Sequence, residues 1–432
     1  MDTTVNIIDY FKTYFIQFLS TYEPGEDTAL PAEQPDKLFA LGMQELHQEN
    51  LEAAQSYFQQ AAELGHAQAA YGFALCHTAT SQSDLPTTLA EVAEWLAYAA
   101  DMGAVQAMLL SAFLHLDAEL PLYNLQQSTD WFRRAAEVGN AEGCYEYGCS
   151  LMSGRGVPQD FAESLRWLEK AATMGDTLAQ FELGVQYACG EGVEPDQAKA
   201  LALFEQAAAA EHPGAMAALA QYYYNGEQVE QDFGKAWSLN FRCYLAANPK
   251  GNLGLAHFYL DNTAIASDYQ TALQLLSTEE AATFPPAVQL KEDLLNGLLE
   301  AVKKQQPPAY TQLGWAMLNG YAYDCDPEQA YTLISTAAQM DDPLARSLLR
   351  CYLPDRNSPL AYSTEQCAAF FREQAGYGQA WAARELLQMM NRGDITATDD
   401  ELAEVLQTAI ELGDFWTREK CHHLREAGKQ EE

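Results

Sequence analysis

One phrase returns along this 432-residue chain at a fixed interval: AAELGHAQA at 61, AADMGAVQA at 99, AAEVGNAEG at 135, AATMGDTLA at 171 and AAAAEHPGA at 207. After a first step of 38 residues the period is 36, and self-similarity at such a period restricts the fold to an array of like supersecondary units. Small residues keep the same clock at Ala69, Ala107, Gly143, Ala179, Ala215, Gly251 and Ala287, as expected where one helix backbone lies close against another. A second, independent series runs through Asn50, Thr88, Asn124, Asp160, Asp196, Asp232 and Asp268. All are residue types that cap helix N-termini, and each precedes an amphipathic run such as FAESLRWLEKAA. Thr88 with Glu91 and Asp160 with Glu163 have capping-box spacing. Gly154, Gly156, Gly190, Gly192 and Gly226 stand before the caps and place a tight turn between two helices. Apolar–polar alternation at period two is nowhere sustained. The predicted unit is helix, turn, helix, and the predicted fold class is all-α, an α/α superhelical solenoid in which neighbours bury each other's apolar stripes.

The best copies are the units at 140–175 and 176–211, which contain YEYGCSLMSGRGVPQDFAESLRWLEKAATMG and FELGVQYACGEGVEPDQAKALALFEQAA. Their order of small residue, Leu-Gly, Tyr, Gly-x-Gly-Val, Asp, Ala, aromatic and Ala-Ala-x-x-Gly resembles the Sel1-like repeat family, a TPR-like class of helical repeats. The resemblance implies a stack of about ten helix-turn-helix repeats that acts by holding a protein partner. The register runs through 37–285 and slips at PAVQLKEDLLNGLLEAVKKQQPP, where 286–308 is too short for a full unit and predicts a truncated pair or bend. It resumes over 309–413 in degenerate copies with Asp326 and Pro327 at a helix start. Residues 414–432 read as a polar capping helix and tail.

Residues 1–24 form an amphipathic aromatic segment, with Ile7, Phe11, Tyr14, Phe15 and Phe18 recurring at three and four. This stripe predicts a helix that caps the first repeat, dimerises as a homodimer or docks on a partner. Residues 25–36 read as a polar, proline-containing linker. No apolar run is long enough for a membrane span or a signal sequence. Nine cysteines without a repeated pair in each unit argue against a disulfide ladder and predict a reducing, cytoplasmic setting.

Against 24 Lys and Arg stand 61 Asp and Glu, a formal charge of −37, which repels a nucleic-acid backbone. The acidity predicts either a basic protein partner or a solubilising surface. No catalytic, cofactor or metal site is expected. The Gly-x-Gly turns lack a P-loop lysine and a preceding strand; Cys76 beside His77 has no orienting motif; Cys421, His422 and His423 diverge on a helix. Family geometry places a partner on the concave face through first helices, and selects Glu142, Tyr145, Glu146, Cys149, Met152, Phe181, Glu182, Val185, Gln221 and Tyr224. Acids alternate there with aromatic residues, a lining suited to Lys or Arg beside apolar anchors. The predicted function is a non-enzymatic scaffold or adaptor of a bacterial cytoplasm. The alternatives are an immunity or inhibitor protein that neutralises a toxin or enzyme, or a DNA mimic.

Overall fold

The computed structural model describes residues 7–20, 34–80, 85–261, 268–322, 327–352 and 358–420, with side chains from Tyr14 onward in the first segment and from Thr87 onward in the third. Among the described residues every regular element is a helix. Two compact units divide the chain, Met1–His212 and Pro213–Glu432.

In the first unit a leading helix, α1 (Ile7–Ser20), precedes five pairs: α2 (Gln34–His47) with α3 (Leu51–Glu63), α4 (Ala67–Thr80) with α5 (Leu85–Asp101), α6 (Val105–Leu116) with α7 (Leu125–Glu137), α8 (Ala141–Ser153) with α9 (Phe161–Thr173), and α10 (Thr177–Cys189) with α11 (Gln197–Ala209). Each second helix packs on its own first helix, and α3, α5, α7 and α9 pack also on the first helix of the next pair. Small residues make the second contact possible. A Cβ on Gly143 of α8 would stand 2.7 Å from the Ala135 Cβ and 2.9 Å from the Ala135 carbonyl carbon of α7, closer than real Cβ atoms approach.

The caps follow the sequence series with instructive exceptions. Asn124, Asp160 and Asp196 accept hydrogen bonds from the backbone N–H of Gln127, Glu163 and Lys199, satisfying donors the first turn leaves open. Asn50 stands at the N-cap of α3 but makes no capping bond; its side-chain amide donates to Glu45 at 2.8 Å. Thr88 is not a cap. The helix α5 begins three residues earlier at Leu85, and Thr88 lies buried inside it. The 38-residue step supplies the additional length, and Pro86 sits in the first turn, where a missing N–H costs nothing. Asp160 and Glu163 form only one arm of a capping box, since the Glu163 carboxylate accepts instead from the Trp167 indole at 3.4 Å. Reciprocal boxes occur at Ser363 with Gln366 and Thr398 with Glu401.

In the second unit the pairs are α12 (Pro213–Asn225) with α13 (Phe233–Leu245), then α14 (Pro249–Asp261) with a shortened α15 (Tyr269–Leu275) and a single turn, α16 (Glu279–Ala282). One 19-residue helix, α17 (Pro285–Lys303), stands where a pair would be, and Pro307 opens the next pair 22 residues after Pro285. This is the truncated repeat. The pairs α18 (Pro307–Leu318) with α19 (Pro327–Gln339), α20 (Pro343–Cys351) with α21 (Thr364–Gly376), and α22 (Ala380–Asn391) with α23 (Asp399–Glu411) follow, and a last helix is described over 415–420.

That last helix differs from the polar cap expected of 414–432. Phe415 is fully buried, with its ring centroid 5.0 Å from Tyr244 and 5.8 Å from Phe241. Around it Tyr244 donates to Glu419 at 2.6 Å, Tyr259 donates to the Gly413 carbonyl at 2.7 Å, and the Arg418 guanidinium lies 4.4 Å above the Trp237 ring. Beneath this apolar seat Arg384 donates to Asp414 at 2.9 Å and to Thr271 at 3.2 Å, and approaches Asp268 at 3.7 Å. Repeats far apart in sequence are therefore clasped together, beyond the neighbour-only contacts of a simple repeat array.

The exits from the second helices carry a strain that sequence pattern alone conceals. Gly65, Gly103, Gly139 and Gly175 adopt positive φ there, and Ala247 holds the same left-handed conformation at φ 52° without being glycine. Replacing Ala247→Gly is expected to stabilise the chain by about 1 kcal/mol. Gly251→Ala, whose Cβ would meet the Tyr244 nitrogen at 2.3 Å, is expected to destabilise it by about 2 kcal/mol. Urea unfolding followed by circular dichroism measures both, and equal midpoints for the two variants would contradict the packing described.

Candidate protein-binding surface

The first helices α8 and α10 bring together much of what the sequence singled out. Glu142, Tyr145, Glu146, Cys149 and Met152 lie on α8, and Phe181, Glu182 and Val185 on α10. Tyr145 and Cys149 stand one turn apart on α8, where burial raises both the hydroxyl and the thiol and the charges of Glu146 and Glu182 add to it. Burial and Glu146 push the Cys149 thiol up to about 12, so it carries no thiolate for nucleophilic work. The Met152 sulfur accepts from Gln186 at 3.1 Å, joining α8 to α10. Val185 is half-buried.

Three carboxyls on this surface are held above the ordinary carboxylate range. Glu142 keeps an exposed surface, yet its carboxyl is raised first by partial desolvation among its neighbours and then by Glu146, with Asp176 adding a smaller repulsion and a hydrogen bond from the Tyr14 hydroxyl opposing them. Glu146 is raised by burial although Arg155 pairs with it at 3.1 Å. Asp176 caps α10 through the Ala179 N–H at 2.8 Å, yet burial still raises it. Among the described residues neither Glu142 nor Asp176 has a basic partner. Asp176 and Arg155 are absent from the residues selected by sequence, because one lies just before α10 and the other just after α8, outside the helices that were projected.

Two other selected residues, Phe181 and Tyr224, pack on neighbouring helices. Phe181 is wedged between Phe204 and His212, with ring centroids 5.9 and 4.6 Å away. Gln221 and Tyr224 belong to the second unit. Gln221 is exposed, whereas the Tyr224 ring meets Phe258 at 4.9 Å and its hydroxyl donates to Asp261. At the other end of the first unit, Tyr14 and Phe18 of α1 are buried against the chain itself and Phe15 is partly exposed. The side chains of Ile7 and Phe11 lie outside the described residues, as do Cys421, His422 and His423.

The second unit holds a buried titratable group of its own, in Arg384, Asp268, Asp414 and Glu385. Its geometry is that of a clasp. Asp268 accepts from the Thr271 N–H and hydroxyl, Asp414 accepts from the Thr417 N–H, and both face the Arg384 guanidinium. Burial raises Asp414 and Glu385, but oxygens aimed at helix amides and a guanidinium are not aimed at a reacting atom. Among the described residues no group of three or more His, Cys, Asp or Glu is placed to hold a metal ion, and no helix is long and apolar enough to cross a membrane.

No curated protein matches this chain. Among solved structures it is similar to a protective antigen of uropathogenic Escherichia coli strains that displays an SLR fold, at 21% identity over 94% of this chain and 79% of that one, with a TM-score of 0.51. It is also similar to a Sel1 repeat protein of Oxalobacter formigenes, at 20% identity over 94% and 98% of the two chains with a TM-score of 0.43. An immunity protein of Pseudomonas aeruginosa matches at 19% identity over 51% and 82%, with a TM-score of 0.34. The Sel1 repeat pattern matches residues 38–66, 105–140, 141–176, 177–212, 213–239 and 307–342. These segments coincide with first and second helices in the order just described, and in them the chain carries six Sel1 repeats.

Proposed function

We propose that this chain is a non-enzymatic scaffold whose α8 and α10 surface binds a protein segment carrying Lys or Arg beside an apolar anchor. Sel1 repeat proteins are generally protein-interaction scaffolds, and the choice of surface and partner chemistry rests on one observation. Desolvation raises Glu142, Glu146 and Asp176 alike, Glu146 and Asp176 add repulsion at Glu142 and Asp176 adds it at Glu146, and Arg155 is paired to Glu146. A cation delivered by a partner relieves that repulsion, while Tyr145 supplies the adjacent aromatic contact. The acidity of the whole chain adds long-range attraction for the same partner.

The test is affinity as a function of salt and sequence. A protein retained by the tagged full chain is purified, and its dissociation constant is measured against wild type and a Glu142→Gln, Glu146→Gln, Glu182→Gln variant. We expect binding to weaken roughly tenfold for the variant and on raising salt from about 0.05 to 0.5 M. Affinity indifferent to both changes would place the partner elsewhere.

The raised carboxyls also set a pH signature in the unbound protein. A carboxyl raised on folding binds its proton more readily in the folded chain, so it destabilises at neutral pH and that penalty fades as pH falls through the raised value toward the ordinary range. Glu142→Gln is therefore expected to unfold at a higher temperature than wild type at about pH 7 and to match it near pH 4. A variant less stable than wild type at neutral pH would show that the Tyr14 hydrogen bond outweighs burial and repulsion.

A further inference from the structure

The helix α1 occupies a shaped seat on the first helices α2, α4 and α6. Phe18 is 3% exposed, and its ring meets Phe39 at 6.1 Å, Phe58 at 5.8 Å and Tyr71 at 5.4 Å, all edge-to-face. Such pairs add attraction beyond plain burial. A Cβ on Gly72 would stand 2.9 Å from the Phe18 ring, so the bare glycine gives the pocket its depth. One turn earlier Tyr14 packs on Phe113 at 6.4 Å, and its hydroxyl reaches Glu142 at 3.5 Å. The seat reads two aromatic side chains four residues apart on one helix, which is recognition of a helix in a groove.

Yet α1 does not complete this seat. The Tyr71 hydroxyl is buried and finds no hydrogen-bond partner among the described residues, and an unpaired buried hydroxyl favours any occupant that can pair with it. The bond from Tyr14 to Glu142 is at the long limit for a hydrogen bond. Ile16, on the outward side of the same helix, remains 67% exposed.

We infer that the α1 seat is the docking site for an amphipathic helix of a partner protein, one with two aromatic residues four apart and a nearby side chain able to pair with the Tyr71 hydroxyl, and that α1 is its tethered competitor. Residues 21–33, TYEPGEDTALPAE, join α1 to α2. A helix tethered by such a segment acts at an effective concentration on the order of millimolar, so an incoming helix must match the seat better than α1 does. The Phe18 pocket is built by α2, α3 and α4 and shares no residue with the α8 and α10 surface, which the seat touches only through the Tyr14 bond to Glu142.

The probe is a fluorescent peptide of residues 1–22, titrated into the full-length chain. Phe18→Ala weakens the tethered helix and is expected to bind the peptide about a hundredfold more tightly than wild type does. Adding Gly72→Leu, which fills the pocket, is expected to abolish that gain, and a scrambled peptide of the same composition should not bind. Tyr14→Ala, which leaves the Phe18 pocket filled, serves as a milder second variant, with cooperative unfolding by circular dichroism confirming that each chain is folded. Failure of the peptide to bind either folded variant, or equal binding of the scrambled peptide, would overturn the proposal. A wild-type mass in light scattering that corresponds to two chains and falls to one on Phe18→Ala would overturn it in favour of helix exchange between copies.

Discussion

The contact on which the stack depends is the near approach of each first helix to the second helix before it. At Gly143 against Ala135, and at Gly251 against Tyr244, a single methyl group would fall inside van der Waals distance of the facing chain. A side chain larger than the glycine or alanine found at this position would push the helices apart and open the apolar faces that Phe132, Leu168 and Phe204 fill. Because the small residue recurs with the period, each contact repeats the last, and the rest of the unit is arranged around it. The Asp or Asn cap starts the second helix at a fixed distance, and the left-handed exit returns the chain to the next first helix.

Much of this order was legible, because the residues that impose it are periodic. The cap series Asn124, Asp160, Asp196, Asp232 and Asp268 needs only a side-chain oxygen in place, and each of these accepts a first-turn N–H. Thr88 misled because a two-residue lengthening let Leu85 and Pro86 open α5 earlier, leaving the hydroxyl inside a helix. What lay hidden was contact between distant parts. Arg384, Asp414 and Phe415 stand in a degenerate region, and nothing in their spacing announces that they meet Thr271, Tyr244 and Tyr259. The seat of α1 was hidden for the same reason: the aromatic stripe was visible, but Phe39, Phe58 and Tyr71 come from three separate helices.

The surface residues divide along a similar line. Helical projection placed Glu142, Tyr145, Glu146 and Cys149 on one helix, and their mutual influence follows from that placement. It could not separate them from Phe181 and Tyr224, whose rings turn toward neighbouring helices, because projection assigns a face and not a depth. Asp176 shows the converse. A residue used as a cap still contributes its charge to the surface, and burial makes that charge felt. Repeat proteins can carry such groups on first helices because the stack is held by the small and aromatic positions facing inward.

Hydrogen–deuterium exchange of the full-length chain, with and without a purified bound protein, tests this division of labour most directly. Slowed exchange concentrated in α8 and α10, with α9 and α11 little changed, is the expected result, because partner contact should fall on first helices while second helices serve the stack. Protection confined to α9 and α11 would contradict the account.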